Sequence, residues 1–300
     1  MNNPSTLTPP ERAPYSAIVD RPDLKLPGDA RVVVWTIVNV EHWLHSRPMP
    51  RTVLPPPMGQ PLLPDIPNWS WHEYGMRVGF WRFVDVLERH RITPTLAING
   101  SVCEAYPRIA EEAHKRNWEF MGHGYVQGPM HKVEDQQRAI AQTMQAIKSV
   151  TGRSPRGWES PGLTESDSTL DWLYEAGIEY VADWVLDDQP VWLDTRNGKI
   201  VSVPYTVEIN DVAISALQWQ RSDELYVRGA AHFDQLYAEA GNSSRVMAIS
   251  VHPYLTGVPH RIAALDRLYK HIREHDDVIF MTGEQINDWY RSQNPSNGET

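Results

Sequence analysis

Cysteine is nearly absent: Cys103 stands alone in a chain of 300 residues. That excludes an internal disulfide and a multi-cysteine zinc site, and Cys103 itself reads as packing, since free cysteine is commonly buried. Long apolar runs are absent too; none approaches the ~20 residues that span a bilayer. There is no excess of positive charge. Lys and Arg number 28 against 38 Asp and Glu, a net charge of −10, which argues against nucleic acid or an anionic membrane as partner. The opening MNNPSTLTPPERAP has neither the basic nor the apolar region of a signal peptide, so a cytoplasmic enzyme is expected.

Hydrophobic residues at 41 % and charged ones at 22 % are ordinary for a soluble globule, and the length suits one large domain with an ample core. The 12 tryptophans and 24 prolines suggest a pocket walled by aromatics, or else core filling. Residues 1–28 are Pro-rich and aperiodic and read as an extended arm over the domain. The arm and the proline-laden stretch 45–71 could bridge subunits of an oligomer. That long stretch follows the first strand directly and reads as a lid or pocket wall. The domain proper is expected over 29–292, with a flexible tail at 293–300.

The run RVVVWTIVNVEH, 31–42, organises the rest. Val32, Val33, Val34 and Ile37 favour a strand buried on both faces, as in a parallel sheet. It ends in Asn39, Glu41 and His42, and a carboxylate there needs a partner or a use. Beyond it, strand and helix patterns alternate to the end of the chain. Helices are expected near 75–90, 102–116, 132–150, 170–176, 222–240, 261–275 and 283–291. Strands are expected near 93–100, 118–125, 156–159, 178–184, 245–252 and 278–282, with a hairpin turned at Asn197-Gly198. Alternation of this kind means parallel strands with crossover helices. Polar residues follow five strands: Asn39 and Glu41, His123, Arg156 and Glu159, Asp183 with Asp187 and Asp188, and His252. Five polar strand ends on one face describe a (β/α) barrel.

Together with the blocks PNWSWHEYGMRVGFWR, FMGHGYVQ, DWVLDDQPVWL, VPYTVEIND and SVHPYLTGVPHRIAALDRL, these positions resemble the polysaccharide deacetylase (NodB-homology, carbohydrate esterase) family over about 30–292. They look most like its branch of allantoinases and cyclic imide hydrolases that work without metal. The resemblance implies a distorted (β/α) barrel of about seven parallel strands, and a homo-oligomer, dimer or tetramer. Metal-using deacetylases carry two Asp at the first strand end, one as base and one on the metal, and a His-x-x-x-His after the third strand. Here Asn39 and Glu41 stand at the first pair, and His123 and Gln127 at the second. Asn39 cannot be a general base, and Gln127 is a poor ligand for zinc. His131 could only reach the site from a loop.

The expectation is a hydrolase of non-peptide C–N bonds that opens or cleaves a small cyclic amide, imide or ureide without a cofactor. Glu41 would be base or water orienter, its alternative a buried ion pair with Arg156. His123 would assist the water, and His252 would protonate the leaving nitrogen; each could instead be a structural histidine. Asn39, Gln127, Arg156, Trp158, Glu159, Asp183, Trp184 and Asp188 would contact substrate. The tryptophans could be core and the acids simple pairing or a solvated turn. Trp43 and Trp71 would wall the pocket. The first alternative is a deacetylase using zinc or another divalent metal at Glu41, His123 and Gln127. The second is a barrel that binds a small molecule without chemistry.

Overall fold

The computed structural model describes residues 6–60 and 62–296. Among them the strands are β1 (Val32–Val40), β2 (Thr95–Ile98), β3 (Glu119–Gly122), β4 (Gly157–Trp158), β5 (Tyr180–Val181), β6 (Val191–Thr195), β7 (Gly198–Ser202), β8 (Arg245–Val251) and β9 (Val278–Phe280). They form one sheet in the order β6-β7-β5-β4-β3-β2-β1-β8, with β9 beside the first residues of β1. Every pairing is parallel except β6 with β7, a hairpin that turns at Arg196-Asn197, one residue earlier than expected, with Gly198 already paired to Thr195. The sheet curls into a barrel whose last seam, from the β6–β7 hairpin to β8, has no strand ladder among the described residues. Single bonds cross it: Val246 N–H to the Asp188 carbonyl at 2.8 Å and Ala248 N–H to Thr206 Oγ1 at 3.0 Å.

β1 is buried along its whole length. Val32, Val34, Val38 and Val40 pack outward against helices, while Val33, Trp35 and Ile37 pack inward with Ala97, Met121, Tyr180 and Val201. Side chains alternate along a strand, so Asn39 and Glu41 are the next inward positions. The apolar lumen thus hands over to polar groups at the strand's C-terminal end. At the opposite end, the buried Glu119 carboxyl closes the lumen by accepting from Thr95 Oγ1 at 2.6 Å and from the Tyr180 hydroxyl.

The expected helix at 75–90 starts earlier, at Ile66, behind an Asp65 cap, and runs to Arg89 through a wide turn at Gly75–Gly79. The two glycines let this helix press on the loop after β8. A Cβ on Gly75 would collide with the backbone of Tyr254, and one on Gly79 with the Pro253 carbonyl. That contact seats the residues just past His252.

The arm lies on its own barrel. Arg12 is buried and forms two bonds to Asp171, at 3.0 and 2.7 Å, and two more to the carbonyls of Asp167 and Asp194. Leu24 and Leu26 join the inner core, and Trp289 Nε1 donates to the Lys25 carbonyl at 2.8 Å. These anchoring side chains tie the arm to the barrel of the same chain. The last helix reaches Gln293, which accepts from Lys25 N–H at 2.9 Å. The expected tail begins at 293, the last residue of this helix, and 297–300 lie outside the described residues. Removing one member of a buried, hydrogen-bonded ion pair costs several kcal/mol. Arg12→Ala is expected to lower unfolding free energy by about 3 kcal/mol, because Arg196 still pairs with Asp171. Urea denaturation checks this; an unchanged midpoint would mean the arm is not held by Arg12.

Candidate active site

Four strand ends bring Glu41, His123, Glu159 and His252 to one mouth, since each follows the last residue of β1, β3, β4 and β8 respectively. All four are buried. Glu41 is the centre. Gln127 Nε2 donates to Oε1 at 2.7 Å and Trp43 Nε1 to Oε2 at 2.7 Å, while Arg51 Nη1 stands 3.3 and 3.5 Å from the two oxygens. His252 Nε2 lies 3.5 Å from Oε1. Burial pushes the Glu41 carboxyl up, but the charge of Arg51, the His252 hydrogen bond and the charges of His252 and His123 prevail. They hold it well below the usual carboxylate range. Both Glu41 oxygens are engaged, and its neighbours favour the ionised form. This corrects its role as a base with a raised pKa, and the buried ion pair is with Arg51 rather than Arg156.

His252 is held from behind. Its Nδ1 donates to Asp211 Oδ1 at 2.7 Å. Asp211 Oδ2 takes the His252 N–H at 2.8 Å, the Thr256 N–H at 3.2 Å and the Thr256 hydroxyl at 2.7 Å. Burial pushes this imidazole down, but Asp211 and Glu41 push it further up, to about 9. It is a cation near neutral pH, with its Nε2–H toward Glu41. His123 is the opposite. Its Nδ1 donates to the Glu159 carbonyl at 2.7 Å, which fixes the tautomer and leaves the Nε2 lone pair free. That atom is buried and without a partner among the described residues. Burial, only partly offset by Glu41, holds this imidazole down to about 4, so it stays neutral. Glu159 Oε1 lies 3.9 Å from the same Nδ1, and Oε2 has no partner among the described residues. Burial and the charge of Asp183 push Glu159 up to about 8.

Of the other expected residues, Gln127 and Asn39 belong to the mouth. Asn39 Nδ2 donates to Ser250 Oγ at 2.8 Å, and the same hydroxyl receives Tyr205 at 2.8 Å. Asp183 supports from below, accepting Ser160 N–H at 2.6 Å, and burial pushes its carboxyl up to about 6. Four residues do not join. Arg156 sits at the entry of β4, at the far end of the barrel, tied to Glu179 at 2.7 Å and Asp288 at 2.5 Å. Three extended residues put about 10 Å between it and Glu159. Trp158 is core, fully buried against Leu170 and Leu173 with Nε1 on Ser160 Oγ. Trp184 donates to Glu165 at 2.9 Å and lines a cleft of about 750 Å³ under the arm. Asp188 lies on the open seam of the barrel. Trp43 and Trp71 do stand at the mouth, edge to face with Tyr254. His131 is exposed and does not reach back.

Sequence reasoning missed Arg51, Asp211, Tyr254 and Asn99. Asn99 follows β2 and ties three strand ends together: its Oδ1 takes His42 N–H at 2.8 Å, and its Nδ2 donates to the His123 carbonyl and to Gln127. Its place after a strand was the available signal. For Arg51 the only signal was a basic residue inside the proline-rich lid.

A family description of polysaccharide deacetylases matches residues 71–181. A Schizosaccharomyces pombe protein described provisionally as a polysaccharide deacetylase is 28% identical over 245 residues, 75% of this chain and 77% of its own. The crystal structure of a Pseudomonas aeruginosa PAO1 protein with the same provisional description is similar at TM-score 0.82 and 25% identity, over 92% of this chain and 96% of that one. That of PuuE allantoinase is similar at TM-score 0.82 and 23% identity, over 92% and 95%. These matches overturn the expectation that no cofactor is used, because the matched deacetylases form a metal-dependent family. The residues here do not fit a divalent ion in this arrangement. Gln127 turns its N–H rather than its oxygen to Glu41, Arg51 adds a cation there, and no group of three His, Cys, Asp or Glu among the described residues is arranged to hold one. The chemistry below is therefore derived from the side chains alone.

If Glu41 and Asp211 together hold the His252 proton, removing one anion must release it sooner as pH rises. In Glu41→Gln the His252 imidazole is expected to titrate below about 9, moving toward the ordinary histidine range. NMR titration of the ring carbons reads this directly, and an unmoved titration would separate Glu41 from His252.

Proposed function

We propose that this chain is a hydrolase of the polysaccharide deacetylase family, as its matches support, and that its site hydrolyses a neutral, compact amide, a cyclic amide, imide or ureide. Members of that family are hydrolases of carbon–nitrogen bonds other than peptide bonds. The observation that carries the finer reading is the pairing of charges at the mouth. Glu41 and Asp211 are balanced by Arg51 and His252, so a buried substrate that brings no charge leaves that balance intact. The lid bearing Arg51 and the aromatic wall of Trp43, Trp71 and Tyr254 favour a small substrate over an extended polymer.

The chemistry follows from the two histidines. Water adds to the substrate carbonyl carbon; a C–O bond forms and the π pair moves to the carbonyl oxygen. The water proton goes to His123 Nε2, the buried lone pair without a partner. Glu159 stands beside the resulting imidazolium. The intermediate then collapses. The C–N bond breaks, and the nitrogen takes the proton of His252 Nε2, so that no amide anion is expelled. Asp211 keeps the His252 ring oriented throughout. Glu41 is the anion that holds both cations in place.

His252→Ala is expected to lower kcat about 10²–10⁴-fold on lactams, with an unchanged circular dichroism spectrum. On imides, whose leaving nitrogen is already acidic, the loss should be much smaller. Steady-state assays on a panel of lactams, imides, ureides and N-acetyl sugars check this. Equal losses on lactam and imide would remove His252 as the acid, and turnover confined to N-acetyl sugars would replace ring opening by deacetylation.

A further inference from the structure

Arg51 has spare capacity. Both Glu41 oxygens are already taken at 2.7 Å by Trp43 and Gln127, and Arg51 Nη1 stands further off, making its shorter bond, 2.8 Å, to the Tyr254 hydroxyl. Among the described residues no partner is present for its Nε or Nη2. The side chain keeps 20% of its surface exposed at a mouth whose other charged groups are buried. So a guanidinium with two nitrogens unused among the described residues stands beside Glu41 and Tyr254 at the mouth, partly exposed. The fork is held there by built contacts. Asn68, buried on the helix after the lid, takes the N–H groups of Val53 and Leu54 at 2.8 and 3.1 Å and donates to the Leu54 carbonyl at 3.0 Å. That pins the lid two residues past Arg51.

We propose that Arg51 is a further catalytic residue, whose free guanidinium N–H groups bind the substrate's carbonyl oxygen and hold the oxyanion formed when water adds. This deepens the hydrolase reading and rests on it. Adding water to a carbonyl moves an electron pair onto its oxygen, and the proton of that water has gone to His123. Of the two cations at the mouth, His252 must deliver its proton to nitrogen. Arg51 is then the cation left for oxygen. A guanidinium cannot protonate the oxyanion, so it stabilises the charge without ending the step early. A donor aimed at developing charge in a buried site contributes more than the same bond in water.

The rival role is a plain counterion to Glu41, and lysine separates the two. It keeps the charge but lacks the fork. Arg51→Ala is expected to lower kcat about 10²–10³-fold with KM within a few-fold, and Arg51→Lys to lose at least tenfold. Arg47→Ala is the control, an exposed arginine on the same lid; it should match wild type. A second readout needs no turnover: calorimetric binding of a cyclic phosphonamidate, whose tetrahedral oxygen mimics the oxyanion. Wild type and Arg47→Ala should bind it at least tenfold more tightly than either Arg51 variant. Equal binding by all four, failure of wild type to bind, or full activity in Arg51→Lys would overturn the proposal. If wild type hydrolyses nothing on the panel yet binds the phosphonamidate through Arg51, the hydrolase reading fails while the oxyanion site stands.

Discussion

A carboxylate buried at the mouth of the barrel sets most of what surrounds it. Glu41 has almost no surface in water, and an ionised carboxylate in such a place is tolerable only with hydrogen bonds and opposite charge. The chain supplies these from four separated segments: Trp43 just past β1, Arg51 in the lid, Gln127 past β3 and His252 past β8. Each contact constrains the loop that carries it. The lid cannot lift without stripping Glu41 of a cation, and the β3 loop cannot shift without freeing an oxygen. A proline-rich stretch with little regular structure of its own is thus ordered by one charge.

The open seam of the barrel bears on the same point. Where the β6–β7 hairpin and β8 form no ladder among the described residues, the backbone between β7 and β8 folds into the mouth and delivers Asp211. That carboxylate accepts four hydrogen bonds from His252 and Thr256, so it both closes the gap and sets the proton on His252. A continuous ladder there would have left the histidine without its orienting partner. The break in the sheet and the charge of the acid are two sides of one arrangement.

The parallel strands, the crossover helices and the place of Glu41 at a strand end were legible because they rest on periodicity, which a sequence displays directly. His123 and His252 were legible as polar residues at strand ends. What was not legible depended on distance through space. Arg51 lies in a stretch with no period, so nothing in its neighbours points it at β1. Arg156 and Glu159 stand three residues apart and read as one cluster, yet β4 separates them by the height of the sheet. Trp158 fell to the alternation that buries it between them. The sign of the Glu41 shift was misread for a related reason. Burial alone raises a carboxyl, and the cations that reverse it come from segments far off in sequence.

Glu41 and Glu159 then make a pair with opposite fates. Both are buried at the same mouth, yet one is kept ionised and the other is pushed up to about 8. Burial acts on both in the same direction, so the difference lies in their neighbours. Glu41 looks onto Arg51 and His252, whereas Glu159 feels the charge of Asp183 and has an oxygen without a donor. Two carboxyls driven apart by environment take different tasks in one site. The ionised one fixes the cations that face carbonyl oxygen and leaving nitrogen. The neutral one lies against His123, where it adds no charge of its own while the imidazole takes up a proton and the substrate oxygen gains the matching negative charge. The mouth thereby holds its net charge nearly constant while a proton moves from water to one histidine and from the other histidine to nitrogen.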